Sequence, residues 1–162
     1  MSKLYVNEIV EATAGAGVHV PGAVVQVQRI DYGGNLGSYT STSYTNIGGS
    51  YFRNTFTPKY ASSLLKVTLE AQCYITGTPN PYGNITIYRD GVNQLTPSYG
   101  FGYIQAVGIS GVATTQMGGT IYVNANSTSS TVFEMWAAAG SGYTLNFGNS
   151  SYRSLTVTEI AQ

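Results

Sequence analysis

Charge is the scarcest property of this chain: 9% of its 162 residues are charged, seven basic against seven acidic, and the net charge is zero. Soluble domains carry about a quarter charged residues, so hydration here falls to Ser, Thr, Asn, Gln and Gly. The cations Lys3, Arg29, Arg53, Lys59, Lys66, Arg89 and Arg153 never cluster. Phosphate neutralisation and attraction to anionic lipid both need clustered Lys and Arg. No nucleic acid and no membrane insertion is therefore expected. No run of about 18 apolar residues exists for a spanning helix, and no signal-type apolar core follows Met1-Ser2-Lys3-Leu4-Tyr5. Synthesis in a cytoplasm without export by that route is the expectation.

Reactive groups are equally scarce. A single cysteine, Cys73, permits no intramolecular disulfide. It sits in an alternating apolar pattern and reads as a buried structural thiol. His19, the single histidine, has no Gly-x-Ser-x-Gly elbow to work with, so no hydrolase triad is expected. One His and one Cys with scattered acids fall short of the three or four ligands a metal needs. The acids Glu8, Glu11, Asp31, Glu70, Asp90, Glu134 and Glu159 show no pairing of the kind that cuts glycosidic bonds. The Gly pairs read as hairpin turns, and Gly15-Ala16-Gly17 leads into Val18-His19-Val20 rather than a helix, so no phosphate loop is read. Catalytic residues, cofactors and metals are all expected to be none.

What is abundant is glycine, at 20 residues, and tyrosine, at 14. Glycine supplies turns, and tyrosine suits a half-buried pleated surface or a recognition surface. The hydrophobic period is two nearly everywhere. Leu65, Val67, Leu69, Ala71, Cys73 and Ile75 share one phase, while Lys66, Thr68, Glu70, Gln72, Tyr74 and Thr76 share the other. That predicts one long strand with a buried face and a wet one. Ile85 to Tyr88, then Arg89-Asp90-Gly91-Val92, predicts a tight hairpin. Further strands are expected at 4–10, 23–30, 39–47, 51–57, 101–109, 119–125, 131–138, 143–148 and 154–161. Gly, Pro, Asn or Ser punctuates every gap, and no segment shows a helical period. The expected fold is all-β: an antiparallel, jelly-roll-like β-sandwich over residues 23–162.

Residues 1–22 differ. Leu4 to Val10 reads as a strand, 12–20 as a small-residue spacer and Pro21-Gly22 as a turn. So short an arm does not hold itself folded and is expected to serve attachment or trimerisation. Leu4, Val6, Glu8, Val10 and Glu159 are the candidate interface residues. Glu8 and Glu159 fall in phase with apolar neighbours, where an unpaired carboxylate costs several kcal/mol. Either Lys3, Arg29, Arg89 or Arg153 pairs with them, in the same or a neighbouring subunit, or the strand ends have reached solvent. Tyr82, Tyr99 and Tyr143 sit beside Pro or Gly and are the aromatics expected in loops, where they are candidate receptor contacts. The competing reading is that they pack on the sheet ends.

Several of these elements resemble short structural proteins and fibre ends of tailed phages, notably cyanophages and other aquatic phages. The similar stretches are Ser2 to Ile9, Pro21 to Val27, Tyr39 to Ile47, Thr57-Pro58 with Ser62 to Val67, the Ile87 to Gly91 hairpin and Ser154 to Ala161. Residues 96–130 match poorly, so no receptor preference carries over. The resemblance implies a trimeric jelly-roll head of tail-fibre or adhesin type, located in the virion, and no catalytic residues. The partners it implies are other virion proteins of tail or capsid and a host surface glycan or protein. A capsid decoration (cement) protein is the alternative, and a secreted carbohydrate-binding module a more distant one.

Overall fold

The computed structural model describes residues 20–95, 100–105, 111–148 and 152–162. The arm positions Leu4, Val6, Glu8, Val10 and His19, and the loop residue Tyr99, lie outside the described residues.

Among the described residues the chain forms twelve strands and no helix. They are β1 (Val24–Tyr32), β2 (Gly37–Tyr39), β3 (Thr45–Asn46), β4 (Arg53–Phe56), β5 (Leu64–Gly77), β6 (Tyr82–Arg89), β7 (Val92–Asn93), β8 (Gly102–Gln105), β9 (Gly111–Asn124), β10 (Thr131–Ala139), β11 (Thr144–Phe147) and β12 (Arg153–Ile160). All pairings are antiparallel. In one sheet β9 pairs β5, β5 pairs β12 and β12 pairs β1, while β11 takes over from β12 along the end of β5 and carries β2. In the other, β4 and β3 share one side of β10, β6 lies on its other side, and β8 and β7 share the far side of β6.

The period-two reading of 65–76 holds residue by residue. Leu65, Val67, Leu69, Ala71, Cys73 and Ile75 are fully buried, and the residues between them are half-buried or exposed. Opposite them stand Ile85, Ile87, Phe133 and Met135 of the second sheet, so the core fills the space between two sheets. Cys73 is buried with its Sγ 3.2 Å from the Met117 sulfur, and burial pushes its pKa up to about 12. The thiol is a core group, as expected. The Asp90-Gly91 turn has positive φ at both residues, 49° and 80°, the backbone of a tight primed hairpin turn between β6 and β7.

Two expected strands differ. The 39–47 segment is not one strand but β2 and β3, which belong to different sheets. Between them the Ser41 hydroxyl accepts from the Ser43 amide and donates to the Ser43 carbonyl, turning the chain locally. Conversely, the strand expected at 119–125 begins at Gly111. Its inward positions before Ile121 include small or polar residues, Gly119, Thr115 and Ala113, so no apolar alternation marks them; β5 organises the whole length.

Glu159 also departs from expectation. It is fully buried, yet among the described residues neither Arg29, Arg89 nor Arg153 is its partner, and Lys3 lies outside them. The backbone amide of Lys59 donates to both carboxylate oxygens at 3.0 Å, that of Tyr60 to one at 3.0 Å, and the Gln26 side-chain amide donates at 2.6 Å. The carboxylate thus ties the β4–β5 connection to β12 and β1. Arg29 pairs instead with Asp31 at 2.8 Å, and Arg89 donates to the carbonyls of Asn124 and Ala125. Asn54 links the two sheets, its amide donating to the carbonyls of Gln28 and Leu155 at 3.1 Å each.

Candidate functional site

Two of the three loop tyrosines meet. Tyr82 opens β6 and Tyr143 precedes β11, and their rings pack edge to face with centroids 5.5 Å apart. The Tyr143 hydroxyl donates to the Pro79 carbonyl at 2.6 Å, and its ring packs on the core. A Cβ at Gly140 would lie 2.5 Å from the Tyr82 ring, so the absence of a side chain there lets the pair close. Tyr143 is therefore half-buried packing, and Tyr82, at 36% exposure, presents the accessible ring of the pair.

A larger aromatic group stands where sequence reading did not look for one. In β10, Phe133 and Met135 point into the core, so Glu134, Trp136 and Ala138 point outward; in β6, Ile85 and Ile87 point inward, so Asn84, Thr86 and Tyr88 point outward. The register sets Trp136 against Thr86 and Asn46, Glu134 against Tyr88 and Arg53, and Ala138 against Asn84. Trp136 and Tyr88 are thus diagonal neighbours, and their rings stack at 4.0 Å with planes 13° apart. Tyr44, just before β3, adds a third ring 6.4 Å from Tyr88. All three are half-buried. Burial, and then the proximity of Tyr88, raise the Tyr44 pKa. The polar groups around them are few and specific. Trp136 Nε1 donates to Glu134 at 3.4 Å, with Arg53 3.8 Å from the same carboxylate. Thr86 donates to Asn93 at 2.9 Å. Asn84 Oδ1 is buried and has no hydrogen-bond donor among the described residues. The signal for this group was present: the single Trp lies in the same phase as Glu134 and out of phase with Phe133 and Met135.

The outer face of the other sheet has a different character. Lys66, Thr68, Glu70 and Gln72 of β5 stand beside Tyr122, Thr120, Gly118 and Gln116 of β9. Gly118 leaves a depression of 280 Å³ lined by Thr68, Glu70, Gln116 and Thr120, and a Cβ there would lie 2.3 Å from the Leu69 carbonyl oxygen. Thr68 and Thr120 share a hydroxyl–hydroxyl contact at 2.9 Å, and Ser154 donates to Glu70 at 3.0 Å.

The described acids are engaged in structural contacts. Asp90 accepts from Thr131 at 2.5 Å and from the Val132 amide at 2.8 Å. The Tyr152 hydroxyl and the Arg29 guanidinium hold the Asp31 carboxyl below its ordinary range. Burial would raise Glu159, but the amides of Lys59 and Tyr60 and the Gln26 side chain outweigh it and hold the group low. Both shifts run opposite to what a general acid needs. Among the described residues no three of His, Cys, Asp and Glu gather to hold a metal.

Among the described residues Arg153 is the largest fully buried side chain, and no described carboxylate pairs with it. It donates to the carbonyls of Gly34 at 2.6 Å and Gly148 at 2.7 Å, with its guanidinium 5.7 Å from the centre of the Phe147 ring. Burial lowers its pKa. It acts as a clamp on the loops after β1 and β11. Arg153→Met retains most of the volume, removes an unpaired buried cation and strands two carbonyls. The opposing effects should leave a loss of about 1–2 kcal/mol in urea melts. A more stable variant would mean that desolvation of the cation outweighs the clamp.

Compared with known proteins, the chain matches no protein-family model and no curated protein.

Proposed function

We propose that this chain is a non-enzymatic virion structural protein of a tailed phage, a receptor-binding tail-fibre head made in the host cytoplasm and working as a homotrimer with a jelly-roll body. The observation that carries this reading is the strand order. One sheet contains β1-β12-β5-β9 and the other β4-β10-β6-β8, and the chain changes sheet at each step from β1 to β4, β5 and β6 and again from β8 to β9, β10 and β12, an order that supports a jelly roll, an architecture of viral capsid and lectin domains. The phage-like segments quoted above, from Pro21 to Val27 and from Ser154 to Ala161, point the same way.

The sheet edges support oligomerisation. β1 carries Arg29 and Asp31 and a register shift between Val24 and Gln26, and the second sheet's edges are broken into short strands. β9 has none of these protections. It pairs only with β5 among the described residues, runs 14 residues without a register shift, and contains no charge and no proline. A long uncharged edge invites another chain. Light scattering at micromolar concentration should return three times the chain's 17.2 kDa; a stable folded monomer would remove the trimer from the proposal.

The cement reading has one observation in its favour, the broad Thr-rich outer face of the first sheet, where Thr68, Thr120, Thr156 and Thr158 form neighbouring rows suited to lying on a lattice. Quantitative mass spectrometry of purified particles separates the readings. A fibre is present in a few to a few dozen copies and a cement protein in hundreds. Particles lacking the chain altogether would end both.

A further inference from the structure

The geometry points to a glycan-binding face on the outer surface of the β3–β10–β6 sheet, with Trp136, Tyr88 and Tyr44 as the stacking surface for the pyranose rings of an uncharged saccharide. This deepens the receptor-binding reading, on which it rests for biological purpose, by naming a ligand class and moving recognition from the end loops to a sheet face.

The two outer faces of the sandwich make the first argument. On β5 and β12 the outward phase is mostly hydrophilic, with Lys66, Thr68, Glu70, Gln72, Thr156 and Thr158, and its rings, Tyr74 and the neighbouring Tyr122 of β9, stand apart from one another along the strands. On β6 and β10 the same phase carries Tyr88 and Trp136, with Tyr44 beside them. Folding does not demand large rings there, because the core between the sheets is already filled from the opposite phase. Thr86 and Asn84 of the same face are buried, while the three rings keep part of their surface toward solvent, and the axial C–H faces of a sugar supply the flat apolar surface that packs on such rings.

Charge and hydrogen bonding narrow the ligand. The nearest charged groups, Arg53 and Glu134, are of opposite sign and 3.8 Å apart, which leaves no net field to select a phosphate or a cation. The accessible acceptor beside the rings is Glu134, which receives one long 3.4 Å bond from Trp136 and lies 3.8 Å from Arg53; Asn84 Oδ1 is itself buried and out of a ligand's reach. A ligand that brings an apolar face together with many hydroxyl donors is a carbohydrate. The platform is also rigid: β10 is paired on both sides and Trp136 is stacked on Tyr88, so little ordering cost attends binding.

The chain has a single tryptophan, so its fluorescence reports on this face alone. The full-length protein is titrated with a panel of neutral oligosaccharides (gluco-, galacto- and manno-oligomers up to millimolar concentration) while Trp136 emission is followed. A saturable shift with at least one class is expected, unchanged between 50 and 500 mM salt because no ion pair forms. Tyr88→Ala should weaken binding about tenfold. Should that variant fail to fold, Glu134→Gln, which keeps the rings, should alter affinity without unfolding the sheet. No saturable change across the panel overturns the inference. So does glycan binding, read by saturation-transfer NMR, that survives Tyr88→Ala and Glu134→Gln but is lost in Tyr82→Ser; the end loop would then be the site. A shift produced only by peptides overturns it as well. If the glycan binds and the Tyr88→Ala phage still adsorbs at the wild-type rate, the face stands and the receptor-binding reading falls alone.

Discussion

Glu159→Ala should lower stability by about 3–5 kcal/mol in urea denaturation at pH 7, because it strands buried donors and leaves a void where a charge was held. Two backbone amides and the Gln26 amide, all within 3.0 Å, converge on that carboxylate. Removing it orphans the Lys59 and Tyr60 N–H groups and frees the segment that leads into β5. Glu159→Gln separates charge from shape. The folded-state pKa lies below the ordinary, unfolded-state value of 4.5, so the carboxylate's contribution is complete well above that value and is lost as pH falls through the lower folded one. The stability gap between wild type and Glu159→Gln should be widest at pH 7, begin to narrow as the pH falls toward 4.5 and go on narrowing as it passes through the lower folded value. A gap that stays the same size throughout acidification would show that the amides hold the shape of the group and not its charge.

Leu69→Ala should cost about 2–5 kcal/mol, and Thr68→Ala, one residue away, well under half of that. Leu69 is fully buried at the centre of β5, opposite Leu155 on one side and Gly119 on the other. The Phe101 ring packs over Gly119, so the cost within that range is set by how far this ring can follow into the hole. The Thr68 side chain points outward and makes one hydroxyl contact, to Thr120. Comparable losses at the two sites, measured by chemical denaturation, would contradict the side-chain alternation itself.

How much of this could be read beforehand depended on where the signal was local. The burial phase of β5 was legible because both of its neighbours, β12 and β9, belong to the same sheet and leave one face to the core. The Asp90-Gly91 turn was legible because two positive φ angles demand those residue types. The partner of Glu159 was not, since two of its donors are backbone amides 99 and 100 residues away that carry no sequence identity. The meeting of rings on the aromatic face was not legible, for a related reason. Tyr82 and Tyr143 could be picked out by their Pro and Gly neighbours, whereas Trp136 meets Tyr88 only through the β10–β6 register, and register is a property of two strands rather than of either.

The place of β12 in its sheet has a consequence for how the protein is made. β12 is the last strand in the chain, yet it lies between β1 and β5 and is hydrogen-bonded to both. When β5 leaves the ribosome its long apolar face has no mate, and β1, made earlier still, has no strand partner yet among the described residues. At about 5–20 residues per second, the roughly 80 residues separating the end of β5 from the end of β12 take on the order of 4–16 s to translate. For that interval the nascent chain carries two strands' worth of open backbone, the condition in which β-rich chains associate wrongly. Folding is therefore completed after synthesis of residue 160 rather than during it. Recovery of native protein should accordingly improve when translation is made less crowded, by lower induction or lower temperature, more than when the final fold is made more stable.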